Sequence, residues 1–175
     1  MPEPTLTQVQ EITPSRLSVQ AIAEYAELVG EHHNIFNENT FADVKGLVAK
    51  LGGMIHVSPE FIAPESLIVR KPKDFTIFLP PMTPERRDRF TIAHELGHYF
   101  LHYLEPRRTD SVTFGRGARN KAETQANLFA ASLLMPSELF RTRFSQHQGD
   151  MLALARDFEV SPRAAEVRSQ VLGLS

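Results

Sequence analysis

The stretch TPERRDRFTIAHELGHYFLHYLE, residues 83–105, predicts one long helix around which the rest of the chain is arranged. Thr83 is a favourable N-cap, and Pro84 is well tolerated at the first helical position because its missing N–H would have no helical partner. Pro106 ends the run. Small and apolar residues recur at intervals of three and four, which predicts one buried stripe. The stripe consists of Phe90, Ala93, Gly97, Phe100 and Leu104.

Within this helix, the sequence HELGH places His94 and His98 four residues apart. Residues at this spacing lie one above the other on a single helical face. This H-E-x-x-H pattern offers two imidazole nitrogens to a zinc ion and leaves Glu95 free to act as a general base. Two other interpretations stay open at this point: a solvated histidine pair on a surface helix, or two satisfied histidines in the core.

A zinc ion in a catalytic site takes three protein ligands and keeps a fourth position for water, so a third ligand has to come from elsewhere. Residues 118–135, ARNKAETQANLFAASLLM, predict a second helix with Glu123 and Asn127 on one face. His102 is a competing candidate for the third ligand. Three histidines along one straight helix would place His94 and His102 about 12 Å apart, which is too far for both to bind one ion. Glu123 is therefore the preferred third ligand.

Small residues predict that these two helices pack closely against each other. The second helix carries a stripe made up of Ala118, Ala122, Ala126 and Ala130. On the first helix, Gly97 lowers helix stability by about 1 kcal/mol relative to alanine. A requirement for close packing would explain its presence. Close approach is also what a metal site shared between the two helices requires.

The segments RFTIAHELGHYFLH and ETQANLFAASLLMP, taken together, resemble the ImmA/IrrE family of metallopeptidases. The second motif of that family reads roughly ExxANxFAAxLLMP, and the likeness extends over residues 40–172 in layout. The resemblance implies that His94, His98 and Glu123 are zinc ligands. It also implies that Glu95 is the catalytic acid/base.

Glu123 and Asn127 form a Glu-x-x-x-Asn pattern that is similar to the one in thermolysin-like zinc peptidases. In those enzymes the second residue orients the first histidine, so the resemblance implies that Asn127 orients His94. A neutral ligand histidine directs one ring nitrogen at the metal and needs a partner for the other, which is the role that this position would fill.

The same resemblance carries expectations about function. Members of the ImmA/IrrE family are bacterial or phage-associated regulators that are thought to cleave a DNA-binding repressor or an antitoxin-like partner and so relieve repression. The chain is therefore expected to be a zinc-dependent endopeptidase with a helix-turn-helix repressor or antitoxin as its protein substrate. Manganese or another divalent ion is an alternative to zinc.

The alternative function is that of a non-catalytic regulatory protein with a structural zinc, which binds DNA or a protein partner through its C-terminal helices. Residues 150–172 have the layout of a helix-turn-helix. Acidic residues outnumber basic ones there, which is unfavourable for contacts with phosphates. Two packed helices without DNA contact are the preferred interpretation.

Peptide hydrolysis also needs a donor for the charge that develops on the carbonyl oxygen. The sequence does not choose among the candidates, which are Tyr99, His102, Tyr103 and Arg119. Residues 105–121, which join the two helices, have an excess of basic residues and contain two glycines. They are interpreted as a solvated loop, with a flap that grips substrate as the alternative.

Composition excludes several classes of protein. The 175-residue chain has no cysteine, which excludes disulfide frameworks, cysteine-rich zinc ribbons and thiol nucleophiles. The net charge of −2 gives no electrostatic footprint for direct nucleic-acid binding. No apolar run approaches the ~20 residues of a membrane span, and the N-terminus lacks a signal pattern, so a cytoplasmic location without membrane partners is expected.

The expected fold is α+β, a mostly helical, zincin-like single domain with a small, antiparallel-rich sheet beside the HExxH helix. Residues 1–14 are expected to form a flexible N-terminal tail and residues 15–175 a single metallopeptidase domain. Within it, 40–136 would be the catalytic core and 137–175 the C-terminal helices. Further helices are predicted at 15–29, 40–51, 150–158 and 163–172, and strands at 54–57, 66–70 and 75–79. The strand at 75–79 is the candidate edge for binding a substrate main chain.

Overall fold

The computed structural model describes residues 10–36, 41–59, 65–115 and 119–174. In chain order, the elements are α1 (Val19–His32), α2 (Val44–Lys50), β1 (Gly53–Val57), β2 (Glu65–Lys71), β3 (Asp74–Leu79), α3 (Glu85–His98), a π-helical segment (Tyr99–Leu104), β4 (Val112–Gly115), α4 (Lys121–Leu134), α5 (Ser137–Gln146), α6 (Met151–Phe158) and α7 (Pro162–Val171). Helices predominate and the described strands form one small sheet, which confirms the predicted α+β class. The division into tail, core and C-terminal helices stays a prediction.

The sheet has the strand order β1-β3-β2-β4. β3 pairs in parallel with β1 and antiparallel with β2, while β4 pairs antiparallel with the other side of β2. The prediction that residues 75–79 form an edge strand is therefore wrong, because β3 has a partner on each side. Phe75 and Ile77 are fully buried, as suits a central strand whose sequence, FTIFL, is almost continuously apolar.

β4 lies within the stretch that the sequence analysis interpreted as a loop. Val112, Thr113 and Phe114 pair with Val69, Ile68 and Leu67 of β2. Residues 112–114 are β-branched or aromatic, which is typical of strands, but they are few and are flanked by basic residues and glycines. β4 ends the strand order, so the sheet edge next to the loop that leads to α4 is β4 and not β3.

The predicted helix at 83–105 is continuous but changes its geometry in the middle. α3 ends at His98, and a π-helical segment follows directly. Glu105 N, for example, donates to Phe100 O over 2.9 Å, a bond across five residues. At the other end the N-cap is Pro84 and not Thr83, because the Thr83 hydroxyl bonds the Asp88 carboxylate and the Pro80 carbonyl.

α3 and α4 approach each other as closely as their small residues predicted. A Cβ added to Gly97 would lie 3.0 Å from both the Cα and the carbonyl oxygen of Ala126. Ala122, Ala126 and Ala130 are all buried on the facing side of α4, and Ala118 lies outside the described residues. The backbone of one helix therefore packs directly on the backbone of the other. No helix in the described part of the chain is both long and apolar enough to span a bilayer.

Replacing Gly97 with alanine is expected to destabilise the protein by about 1 kcal/mol and to weaken metal binding. The added methyl group forces α4 away from α3, and overpacking of this kind costs roughly 1–3 kcal/mol, more than the ~1 kcal/mol that alanine gains in helix propensity. Because the candidate metal ligands predicted from the sequence lie on both helices, the displacement would also separate them. Urea unfolding and zinc titration of the purified variant measure the two effects.

Gly30→Ala is the matched control, since Gly30 is also a buried helical glycine. A Cβ there would meet only side-chain atoms, at 3.3 Å from Ile35 Cδ1 and 3.7 Å from Leu133 Cδ1. Such flexible ends can shift, so this variant should bind zinc normally. Equal stability and equal zinc affinity of the two variants would show that the α3–α4 contact is not tight in solution.

Residues 10–18, which form neither helix nor strand, lead into α1 and are hydrogen-bonded to α4 at Ser15. Ser15 N donates to Gln125 Oε1 over 2.9 Å, and Gln125 Nε2 donates to Ser15 O over 2.8 Å. Ile12 packs against the core. α1 begins at Val19 and not at residue 15 as predicted, because the Ser18 hydroxyl accepts from Ala21 N and caps the helix there.

The last helix is fixed to the rest of the domain by a buried arginine. Arg168 of α7 is 3% exposed; its Nε donates to Met135 O over 2.9 Å, and its Nη2 lies 3.4 Å from Glu27 Oε1 on α1. A basic residue held in this way is withdrawn from contacts with phosphates. The finding agrees with the interpretation of α6 and α7 as packed helices.

Candidate active site

Three side chains that the sequence analysis singled out meet where α3 faces the first turn of α4. His94 Nε2 lies 3.0 Å from Glu123 Oε2, and His98 Nε2 lies 2.9 Å from Glu123 Oε1. The first turn of α4 is held by Asn120, whose Oδ1 accepts from Glu123 N over 3.0 Å. The helix N-terminus and both imidazoles thus surround one carboxylate.

The donor atoms of this cluster suit a divalent metal ion. One potential ligand atom from each of the three residues lies within 4.8 Å of the others. His98 Nε2 is buried, and despite its short distance to Glu123 it has no partner with hydrogen-bond geometry in the described part of the chain. A buried ring nitrogen left in this state is costly unless a ligand binds it. Two imidazole nitrogens and a carboxylate are also a common donor set for zinc.

Asn127 holds the other side of His94. Its Oδ1 lies 2.8 Å from His94 Nδ1. A carbonyl oxygen only accepts, so Nδ1 carries the hydrogen and the lone pair of a neutral ring stays on Nε2, which faces Glu123. The structure therefore brings Asn127 to the ring that the sequence analysis assigned to it.

The two acidic residues of the site have different electrostatic environments. Burial opposes ionisation of Glu123, but its contacts with the two histidines outweigh burial and lower its pKa to about 2. Burial raises the pKa of Glu95, which is 4% exposed, and the charges of the histidines offset this only in part. Glu123 is thus held as an anion ready to bind a cation, whereas Glu95 is disposed to accept and release a proton.

Glu95 has one partner that the sequence analysis missed. Ser66 Oγ, on β2, donates to Glu95 Oε2 over 3.2 Å and also lies 3.2 Å from Phe114 O. Ser66 is 2% exposed, so this contact is inside the protein. Nothing in the sequence of β2 distinguishes this serine, because the contact depends on how the sheet packs against α3.

The four candidates for oxyanion stabilisation have different surroundings. Tyr99 OH accepts from Lys73 N over 3.1 Å, and Tyr103 OH donates to Asp110 O over 2.9 Å, so both hydroxyls are engaged with backbone groups. His102 lies behind His98, with the two Nδ1 atoms 2.9 Å apart. Arg119 is exposed, just before α4. Of the four, only His102 is shown in contact with a residue of the cluster.

β4 lies beside the cluster. The Phe114 ring is 5.1 Å from the His98 ring, centroid to centroid, and the two planes are tilted by 34°. The Phe114 side chain of this edge strand thus forms one wall of the site.

Comparisons with known proteins identify the family of the chain. The chain is 36% identical over 67 residues to metallopeptidase ImmA of Bacillus subtilis, covering 37% of each protein. It is 34% identical over 99 residues to the radiation response metalloprotease IrrE of Deinococcus deserti, covering 54% of this chain and 35% of that protein. The alignments thus span little more than a third of either relative's length.

A solved structure described as a Mycobacterium tuberculosis transcriptional regulator has the same fold, with a TM-score of 0.56 and 14% identity over 83% of this chain and 45% of that one. The profile of the IrrE N-terminal-like domain, a peptidase family, matches residues 67–170, which is more than half of the chain and contains all the residues of the cluster. The chain therefore belongs to the IrrE N-terminal-like family of ImmA/IrrE metallopeptidases.

Proposed function

We propose that this chain is a zinc-dependent endopeptidase, with His94, His98 and Glu123 as metal ligands and Glu95 as general base. The observation that carries the proposal is the meeting of two Nε2 atoms and one carboxylate, where the buried His98 Nε2 lies 2.9 Å from Glu123 without hydrogen-bond geometry to any described residue. The described residues offer three ligands at this point, and a three-ligand set is typical of catalytic zinc, whereas structural zinc is bound by four. The donor count favours an enzyme over a regulatory protein with a structural zinc.

The chemistry assigns a separate task to each residue. A zinc ion held by His94, His98 and Glu123 would supply Lewis acidity to the scissile carbonyl and would lower the pKa of water at the site toward ~7. Glu95 takes a proton from the attacking water and returns it to the leaving amine. Asn127 keeps the His94 ring in the tautomer that faces the metal, and Ser66 orients the Glu95 carboxylate.

The substrate that we propose is a regulatory protein, namely a helix-turn-helix repressor or an antitoxin. The support is the family resemblance described above, together with relatives that are a metallopeptidase and a radiation response metalloprotease. Since β4 ends the sheet beside the histidines, we assign the binding of the substrate main chain to β4 in place of β3. An extended peptide would add to this edge through backbone hydrogen bonds.

Removing the metal tests the proposal. Chelation with EDTA is expected to abolish cleavage of a repressor encoded beside the gene, and added zinc is expected to restore it, because the three ligands are otherwise left without a Lewis acid. Metal analysis of the purified protein and electrophoresis of the repressor give the readouts. Cleavage that persists in protein shown to be metal-free would overturn the proposed function, while manganese restoring the rate better than zinc would change only the metal.

A further inference from the structure

A chain of buried hydrogen bonds leads away from His98 on the side opposite Glu123. His98 Nδ1 lies 2.9 Å from His102 Nδ1, and His102 Nε2 lies 3.0 Å from Gln125 Oε1. Gln125 in turn exchanges two hydrogen bonds with the backbone of Ser15. The four residues are between 1% and 5% exposed, so water does not compete for these contacts.

The backbone of Ser15 fixes the orientation of Gln125 and, with a neutral His102, the direction of the remaining bonds in this chain. An N–H donates and a carbonyl accepts, so Gln125 must present Oε1 to Ser15 N and Nε2 to Ser15 O. The Oε1 that faces His102 therefore accepts, which places a hydrogen on His102 Nε2. When His102 is neutral, its lone pair is on Nδ1, which lies 2.9 Å from His98 Nδ1 and accepts from it.

The last step sets the state of the metal-facing nitrogen. If His98 carries its hydrogen on Nδ1, its lone pair is on Nε2, the atom that lies 2.9 Å from Glu123 and has no hydrogen-bond partner among the described residues. The π-helical geometry begins at Tyr99, directly after His98, and it is in this segment that His102 is brought to His98 Nδ1. π-Helical segments are frequent at functional sites, which fits this role.

We propose that His102 and Gln125 are positioning residues that, anchored on the backbone of Ser15, hold His98 in its Nδ1–H tautomer with Nε2 directed at the metal. The inference rests on the proposed metal site and adds two residues to it. The inference also assigns a function to residues 10–18, because the Ser15–Gln125 hydrogen bonds anchor the chain of bonds that leads to His98. Displacement of that segment would lower metal affinity from a distance.

The tautomers can be observed directly in the unmodified, zinc-loaded protein. Two-bond ¹H–¹⁵N spectra of the imidazoles are expected to show His98 as Nδ1–H and His102 as Nε2–H. A His102 that is protonated on Nδ1, or that exchanges between tautomers, would overturn the proposal. This readout involves no substitution, so it stands even if a variant fails to fold.

Variants test the effect on the metal. His102→Phe and Gln125→Leu are expected to weaken zinc binding by about 10–100-fold, the range that loss of an outer partner of a ligand histidine produces. Tyr103→Phe is the matched control, because it removes a part-buried hydrogen bond on the same π-helical segment and leaves the His98–His102–Gln125 bonds in place. It should bind zinc normally. Unchanged zinc affinity in a folded Gln125→Leu variant would show that these contacts serve stability alone.

The anchoring end has its own matched pair. Ser15→Pro removes the N–H that donates to Gln125, whereas Ser15→Ala removes only the hydroxyl, which accepts from Leu17 N over 3.1 Å. Weaker zinc binding is expected for the proline variant and not for the alanine variant, and equal affinities would overturn the anchoring role.

These readouts require no peptide cleavage. A protein that binds zinc as described but cleaves nothing would overturn the proposed function and leave this inference standing.

Discussion

Replacing Glu95 with glutamine is expected to lower kcat for peptide hydrolysis by about 10²–10⁴-fold and to leave zinc binding unchanged. Glutamine has the shape of glutamate and can still accept the hydrogen bond that Ser66 Oγ donates. Its neutral amide cannot take a proton from the attacking water, so the loss falls on the chemical step. Single-turnover cleavage and zinc content, measured on the same preparation, give the two quantities.

Stability provides a second readout for this variant. Burial raises the pKa of Glu95, so its ionised form destabilises the metal-free fold above the ordinary pKa of glutamate. Metal-free Glu95→Gln should therefore melt at a higher temperature than the parent at neutral pH, and the difference should shrink as pH falls through that raised pKa.

Glu105→Gln, an exposed change directly after the π-helical segment, is the matched control and should behave like the parent in both respects. Parent-level cleavage by Glu95→Gln would remove Glu95 from the mechanism.

Replacing Glu123 with alanine is expected to weaken zinc binding by more than about 100-fold and to abolish cleavage with it. The loss should exceed the roughly 10–100-fold effect of outer-shell partners, because it removes the carboxylate that faces both Nε2 atoms. It also leaves only two donors from the cluster, and two ligands do not make a catalytic zinc site. Competition with a chromophoric chelator measures the affinity.

Glu138→Ala is the control for this second change, since Glu138 is an exposed glutamate in the first turn of a neighbouring helix, α5. It should bind zinc with parental affinity. If Glu123→Ala retained both zinc and activity, another residue would have to supply the third ligand, and the proposed arrangement of the site would be wrong.

Features that depend on local spacing could be predicted from the sequence. His94 and His98 had to share a face because any helix brings residues four apart together. Gly97 and the alanines of α4 indicated a close helix contact, since only small side chains allow one backbone to pack on another. The choice of Glu123 over His102 followed from the length of three stacked histidines, and the structure brings Glu123 to within 3.0 Å of His94.

Other features were out of reach because they join residues that are distant along the chain. Whether β3 is a central or an edge strand depends on its partners. One of them, β1, is separated from β3 along the chain by the whole of β2, so the sequence near β3 does not reveal the pairing. β4 consists of only four residues. Their β-strand propensity was too weak to outweigh the neighbouring glycines and basic residues, which are typical of a loop. Ser66 meets Glu95 across 29 residues, and Ser15 meets Gln125 across 110.

By itself, the sequence determined the chemistry that this protein carries: two imidazoles on one helical face, a carboxylate between them along the chain, and a second helix with small residues and an acid. These follow from helical periodicity, which acts over a few residues. Only the tertiary structure decided which nitrogen of each histidine faces the site, which strand borders it, and which residues hold it from behind. Those outcomes depend on hydrogen bonds and packing between elements, and such contacts exist only after the chain has folded.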